Sequence, residues 1–188
     1  IDTLNKQNEL SSVNQLAMEV LEQDPGLGYN GVEEAAKYLG INENDLKSQE
    51  TIRGFYESTL KNPADSLKGT DPTLPTLTTG QLATERAWCA AFAFHVLKEM
   101  GVDASTELSG YDKVRAKQYM RLGTKVYDNK KKDNIVSDAK VGDLIIKMKL
   151  VEDKETGKFK ENYHVGFFAG MSPKSGQVLI LGGNQNDE

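Results

Sequence analysis

The sequence predicts an α+β fold, and three observations carry that prediction. Apolar residues recur at three-and-four spacing through the first part of the chain, as amphipathic helices require. After residue 140 the pattern becomes short apolar runs separated by Gly, Pro and Asp turns, as strands require. Helices come first and strands after, without alternation, which favours an antiparallel sheet beside helices over a doubly wound one.

The elements follow in order. Leu10, Val13, Leu16, Ala17, Val20 and Leu21 form one apolar stripe, and Asp24-Pro25-Gly26 ends that helix. A second helix is expected over Gly31 to Leu39, stopped by Gly40, and a third near Ser48 to Leu60. Asn62 to Gly80 holds Pro63, Pro72, Pro75, Gly69 and Gly80, and reads as an irregular connector. The next helix has Thr84 as its expected cap and Glu85 at the positive dipole end. It is apolar nearly all round from Ala87 to Leu97 and closes at Gly101. A helix apolar on every side is buried on every side. One more helix is expected over Tyr111 to Leu122, ending at Gly123. Lys130-Lys131-Lys132 reads as a solvated loop tip. Strands are expected at Leu144–Met148, His164–Gly170 and Gln177–Leu181, with a charged hairpin turning near Glu155–Lys158. Two units result: a helical segment with connector over 1–80, and a second domain over 81–188.

Composition narrows function. The chain has 188 residues, 38% hydrophobic and 27% charged, with a formal net charge of −5. That balance excludes a disordered chain and lacks the basic footprint of a nucleic-acid binder. No apolar run approaches the roughly 20 residues that span a bilayer, so no membrane partner is expected. The start has no basic stretch followed by an apolar one, so no secretory signal is read. A first residue that is Ile, and an end just after a strand, fit a processed chain or an excised piece. One cysteine and two histidines leave no internal disulfide and too few ligands for structural zinc. No metal or other cofactor is expected.

What remains is a lone thiol and its possible imidazole partner. Cys89 falls in the first turn or two of the buried helix, where unpaired N–H groups and the dipole favour a thiolate. Core packing is the competing reading, since free cysteine behaves as a small hydrophobe. His95 follows Cys89 by six positions, a rotation of about 600° with a rise of roughly 9 Å, so it points to a different face. His164 opens a strand, and Asn184 lies just past the next one. In a hairpin the start of one strand neighbours the end of the next, so His164 and Asn184 are expected side by side. A thiol, an imidazole and a group that orients it make a nucleophilic set.

These residues sit in runs that resemble a family. Ala87-Trp88-Cys89-Ala90-Ala91-Phe92 with Leu97 and Gly101 is similar to the nucleophile helix of papain-like bacterial cell-wall hydrolases related to the NlpC/P60 and CHAP groups. The resemblance continues through Ala116-Lys117-Gln118-Tyr119-Met120-Arg121-Leu122-Gly123, Lys140-Val141-Gly142-Asp143-Leu144, His164-Val165-Gly166-Phe167 and Gly182-Gly183-Asn184-Gln185. Val141 stands where the family has proline, and Lys117 and Tyr119 where it has Arg and Trp. The match spans about residues 84 to 187.

The resemblance implies a papain-like domain with its nucleophile at the start of a buried helix packed on an antiparallel sheet. It implies Cys89 as nucleophile, His164 as base then acid, and Asn184 as the orienting residue. Gln81 is a candidate oxyanion donor, and Trp88, Tyr163 and Lys117 are candidate substrate contacts. The implied reaction is cleavage of an amide bond of peptidoglycan, in the stem peptide or between muramic acid and L-alanine, with no cofactor. Arg86, Lys113, Arg115, Lys117 and Arg121 can supply positive charge for carboxylate-bearing stem peptides, or simply form an exposed helix face. Such modules serve as lysins, autolysins or secreted antibacterial effectors, the last with a cognate immunity protein. Two alternatives stand beside this reading: a catalytically silent papain-like module of a phage or secretion particle, and a protein-modifying acyltransferase or deamidase.

Overall fold

The computed structural model describes residues 30–60, 87–124, 139–154 and 156–183. The helix expected over residues 10–21, the connector of 62–80, the domain boundary near residue 80 and the Lys130–Lys132 tip lie outside them, as do Thr84, Glu85 and Arg86.

Among the described residues three α-helices pack together. α1 covers Asn30–Ala36, and the chain turns on to Gly40, whose φ of 82° suits glycine. α2 covers Leu46–Thr59, begun by the Asp45 carboxylate accepting from the Ser48 backbone N–H at 2.8 Å. α3 covers Cys89–Glu99 and buries Cys89 through Phe94, Val96 and Leu97, as its apolar sequence demands. Gly101, at φ 76°, lets Val102 N–H return to the Leu97 carbonyl and closes the helix.

α1 and α2 lie directly on α3. Val32, Ala35, Ile52, Phe55 and Tyr56 join Trp88, Phe92 and Val96 in one core that extends to Val165 and Phe167. The Thr59 hydroxyl donates to the Phe55 carbonyl at 2.6 Å inside that core. Residues 30–60, read from sequence as part of a segment preceding the second domain, thus contribute to the same core as α3. Each fully buried Phe or Ile there stabilises by about 1.5–3 kcal/mol.

The helix expected over Tyr111–Leu122 is replaced by two 3₁₀ turns, Gly110–Val114 and Ala116–Arg121. Arg115 between them is extended (φ −118°, ψ 107°) and lies over the Tyr111 ring. The break lets Ala116 and Tyr119 face the core, with the Tyr119 hydroxyl 2.6 Å from the Ala90 carbonyl and 2.8 Å from that of Lys113.

The sheet has three antiparallel strands in the order β1 (Leu144–Glu152), β2 (Phe159–Met171), β3 (Val178–Leu181). Ile146 pairs with Val165, Lys147 with His164, and Phe167 with Leu181. Val165, Phe167 and Ala169 pack toward α3, and the even-numbered residues of β2 alternate to the other face. Both β1 and β2 run several residues beyond the expected strands, because the polar alternation Lys147-Met148-Lys149-Leu150 is itself strand-compatible. His164 accordingly stands well inside β2 and does not open it.

Candidate active site

Cys89 is the first residue of α3, with Trp88 in the cap position and no side chain capping the helix start. The backbone N–H groups of Val165, Ala90 and Cys89 itself act to favour its thiolate, as expected at a helix N-terminus. Burial acts the other way and wins: the side chain is 3% exposed, and its pKa is pushed above the ordinary thiol value. Cys89 therefore rests as a thiol. This corrects the sequence expectation of an acidified cysteine, because the dipole argument omits the cost of desolvating sulfur.

Val165, whose amide faces the Cys89 thiol, is the residue after His164. The imidazole itself follows strand alternation to the opposite face, beside Lys147. Its Nε2 is buried and has no hydrogen-bond partner among the described residues. The two side chains are thus brought within one strand residue of each other but share no hydrogen bond, where sequence reasoning had them facing. Burial, then Lys147 and Lys149, lower the His164 pKa, so the ring is neutral near pH 7.

Two glycines set the strand end against His164 and against Trp88, the residue before Cys89. A Cβ on Gly182 would sit 3.0 Å from His164 Nε2, and one on Gly183 would sit 2.2 Å from Trp88 Cζ3. Only glycine fits at Gly183, so the chain leaving β3 is pressed between the His164 strand and the Trp88-Cys89 corner. Asn184 and Gln81 lie outside the described residues.

Trp88 holds this frame and does not face substrate. It is 2% exposed, its Nε1 donates to the buried Glu43 carboxylate at 3.1 Å, and its ring is stacked with Phe55 at a centroid distance of 6.0 Å. That corrects its assignment as a substrate contact. Tyr163 and Lys117 are close together, with Lys117 Nζ 5.0 Å from the Tyr163 ring centroid and 3.0 Å from Glu161 Oε2, and Tyr163 donating to Glu161 at 2.8 Å. Arg121 pairs with Asp112, and Lys113 lies over the Phe94 ring. These cations are engaged along an exposed helical face, as the plainer of the two sequence readings has it.

His95 is a satisfied structural histidine. Ser58 Oγ donates to the Phe55 carbonyl at 2.9 Å, so it accepts from Nδ1–H at 3.0 Å, and Nε2 then accepts from the Tyr38 hydroxyl at 2.8 Å. Three contributors to the site were not read from sequence: Glu43 under Trp88, Tyr119 against the Ala90 carbonyl, and the Lys147-Lys149 pair beside His164. Only the last had a signal, the period-two spacing of the lysines across from His164.

Among the described residues no group of three His, Cys, Asp or Glu side chains is placed to hold a metal ion, and no helix is long and apolar enough to cross a membrane. Compared with protein-family models, curated proteins and solved structures, the chain gives no match.

Proposed function

We propose that the chain is a papain-like cysteine hydrolase that cleaves an amide bond of peptidoglycan. The observation that carries the reading is the convergence of three separate sequence runs on one corner: the Cys89 helix start, the His164-Val165 strand and the Gly182-Gly183 strand exit. A core cysteine needs neither a buried imidazole nitrogen one strand residue away, unpaired among the described residues, nor glycines pressed against that imidazole and against Trp88.

The chemistry starts from a neutral pair. Cys89 Sγ attacks the amide carbonyl carbon while His164 Nε2 takes the thiol proton, and the backbone N–H of Cys89 supports the oxyanion. The carbon–nitrogen bond breaks as the imidazolium returns that proton to the leaving amine, giving a thioester. Water, deprotonated by the same imidazole, attacks the thioester; the acid product leaves and the thiol is restored. Asn184 orients the imidazole through its other nitrogen. Because Nε2 rests on the strand face opposite Sγ, a rearrangement that turns the imidazole toward Cys89 is part of the reading, and the pair forms only then. Whether the bond cut lies in the stem peptide or at muramic acid is decided by the products. An antibacterial effector restrained by an immunity protein is the context we favour, beside a lysin.

One observation favours a second reading, a catalytically silent papain-like module: Cys89 is buried and unbonded to His164. Toxicity separates the two, and it separates a wall target from a protein-modifying activity. Periplasmic expression of the wild type should lyse cells where Cys89→Ala does not. Lysis by neither supports the silent module, lysis by both removes Cys89 as the nucleophile, and toxicity confined to the cytoplasm removes the wall as target.

A further inference from the structure

α3 starts without a capping side chain, and a buried hydroxyl takes hold of its first turn instead. Tyr119 reaches that turn from the second 3₁₀ turn. It is 1% exposed, and its one proton is shared between the carbonyls of Ala90 at 2.6 Å and Lys113 at 2.8 Å. The Phe94 backbone N–H acts on the same oxygen. Ala90 and Phe94 are the two ends of one α-helical rung, so the hydroxyl sits on the rung that follows Cys89.

Peptide planarity carries this hold to the thiol. The Ala90 carbonyl and the Ala91 N–H lie in one rigid plane, so fixing the first aims the second. The first intrahelical bond of α3 runs from Phe92 N–H to the Trp88 carbonyl, which leaves the N–H groups of Cys89, Ala90 and Ala91 facing the open helix end. Two of these, with the Val165 N–H, are the groups that favour the Cys89 thiolate against burial. Their aim depends on the shape of the turn that Tyr119 holds. The other groups packed around the helix start are already engaged or uncharged. Lys113 lies over the Phe94 ring, Glu43 accepts from Trp88 Nε1, and the Thr59 hydroxyl is 3.4 Å from the Ala91 carbonyl. Burial keeps Tyr119 itself protonated and His164, across the sheet, neutral.

We propose that Tyr119 is a positioning residue for Cys89: by holding the Ala90 carbonyl, it keeps the helix-start N–H groups trained on the sulfur and, during reaction, on the oxyanion. The hydroxyl works through the backbone of α3 and takes no part in the bond changes. The proposal deepens the hydrolase reading and rests on it for the oxyanion alone.

Tyr119→Phe removes the donor and keeps the ring. Ile52→Val, which thins the same core from α2, is the structural control. The chain has one cysteine, so the Cys89 Cβ resonance followed against pH titrates this thiol directly, whatever its access to reagents. In Tyr119→Phe the midpoint should rise by about half to one pH unit, which lowers the thiolate fraction at neutral pH about three- to ten-fold. In Ile52→Val it should stay at the wild-type value. Turnover of a soluble stem peptide by Tyr119→Phe should lose kcat with KM unchanged. An unchanged midpoint, an equal rise in Ile52→Val, or a Tyr119→Phe chain that does not fold assigns the hydroxyl to core packing and overturns the positioning role. A loss of turnover expressed in KM alone overturns it as well. A raised midpoint in Tyr119→Phe, with no turnover by the wild type, leaves the positioning role standing and removes the hydrolase reading instead.

Discussion

Gly183→Ala isolates the contact that holds the strand exit against the nucleophile corner. The added Cβ would lie 2.2 Å from Trp88 Cζ3, 2.3 Å from Cε3 and 3.1 Å from Cη2. Carbon atoms rest about 3.5–4.0 Å apart, so the first overlap exceeds an ångström. The indole cannot retreat: Glu43 holds Nε1 at 3.1 Å, Phe55 stacks on the ring, and Phe92 meets it edge-on at 6.2 Å. Overpacking of this kind costs about 1–3 kcal/mol, which in a chain of this size lowers Tm by roughly 2–12 °C. Gly54→Ala is the matched control, since a Cβ there meets nothing within 4 Å and the site lies inside α2. It should stabilise by about 0.5–1 kcal/mol, as Ala does over Gly within a helix. Urea unfolding followed by far-UV circular dichroism and by the emission of the single tryptophan gives both values. Gly183→Ala within about 0.5 kcal/mol of wild type, with unchanged tryptophan emission, would refute the close approach and the positioning argument built on it.

Further outcomes follow from the same geometry. Glu43→Ala should destabilise by about 1–3 kcal/mol by orphaning the buried Trp88 N–H, and shift tryptophan emission; Glu43→Gln, which still accepts through its amide oxygen, should restore most of the loss. His95 is held below its ordinary pKa of 6.5 by burial, so its stabilising contribution is complete above that pH and is lost as pH falls toward the folded value. His95→Leu should therefore flatten the acid side of the stability curve relative to wild type, in which His164 continues to contribute with the same sign; an unchanged slope would contradict the buried His95 assignment. On the hydrolase reading, in which His164 is the base, its lowered pKa puts the acid limb of kcat/KM below 6.5, and Lys147→Gln should move that limb upward. A limb that stays fixed in Lys147→Gln would exclude His164 as the titrating group.

The coarse class and the buried helix α3 were legible because they rest on local patterns. The all-round apolar run from Ala87 to Leu97 and the stop at Gly101 need no tertiary information, and α3 forms and ends there. Asp45 capping α2 was equally readable in principle, since a carboxylate three residues before Ser48 satisfies an open N–H. The Tyr111–Leu122 helix was misread because period alone cannot tell an α-helix from two 3₁₀ turns; Tyr119 reaching the Ala90 carbonyl decides it, and that contact spans 29 positions. The Cys89 pKa was misread for a related reason, as helix position is written in sequence and burial is not. The relation of His164 to Cys89 was legible to within one residue: the strands and their order give Val165 beside the thiol, whereas strand phase, set by Val165 and Phe167 facing the core, sends the imidazole to the other face.

The central claim is that Cys89 performs amide hydrolysis on the bacterial cell wall. Purified sacculi incubated with wild type and with Cys89→Ala, followed by mass analysis of the released muropeptides, test it directly. The wild type alone should clear the suspension and release fragments cut at one class of amide bond, with Cys89→Ala folded and inert. Identical turbidity and identical products from the two proteins would contradict it.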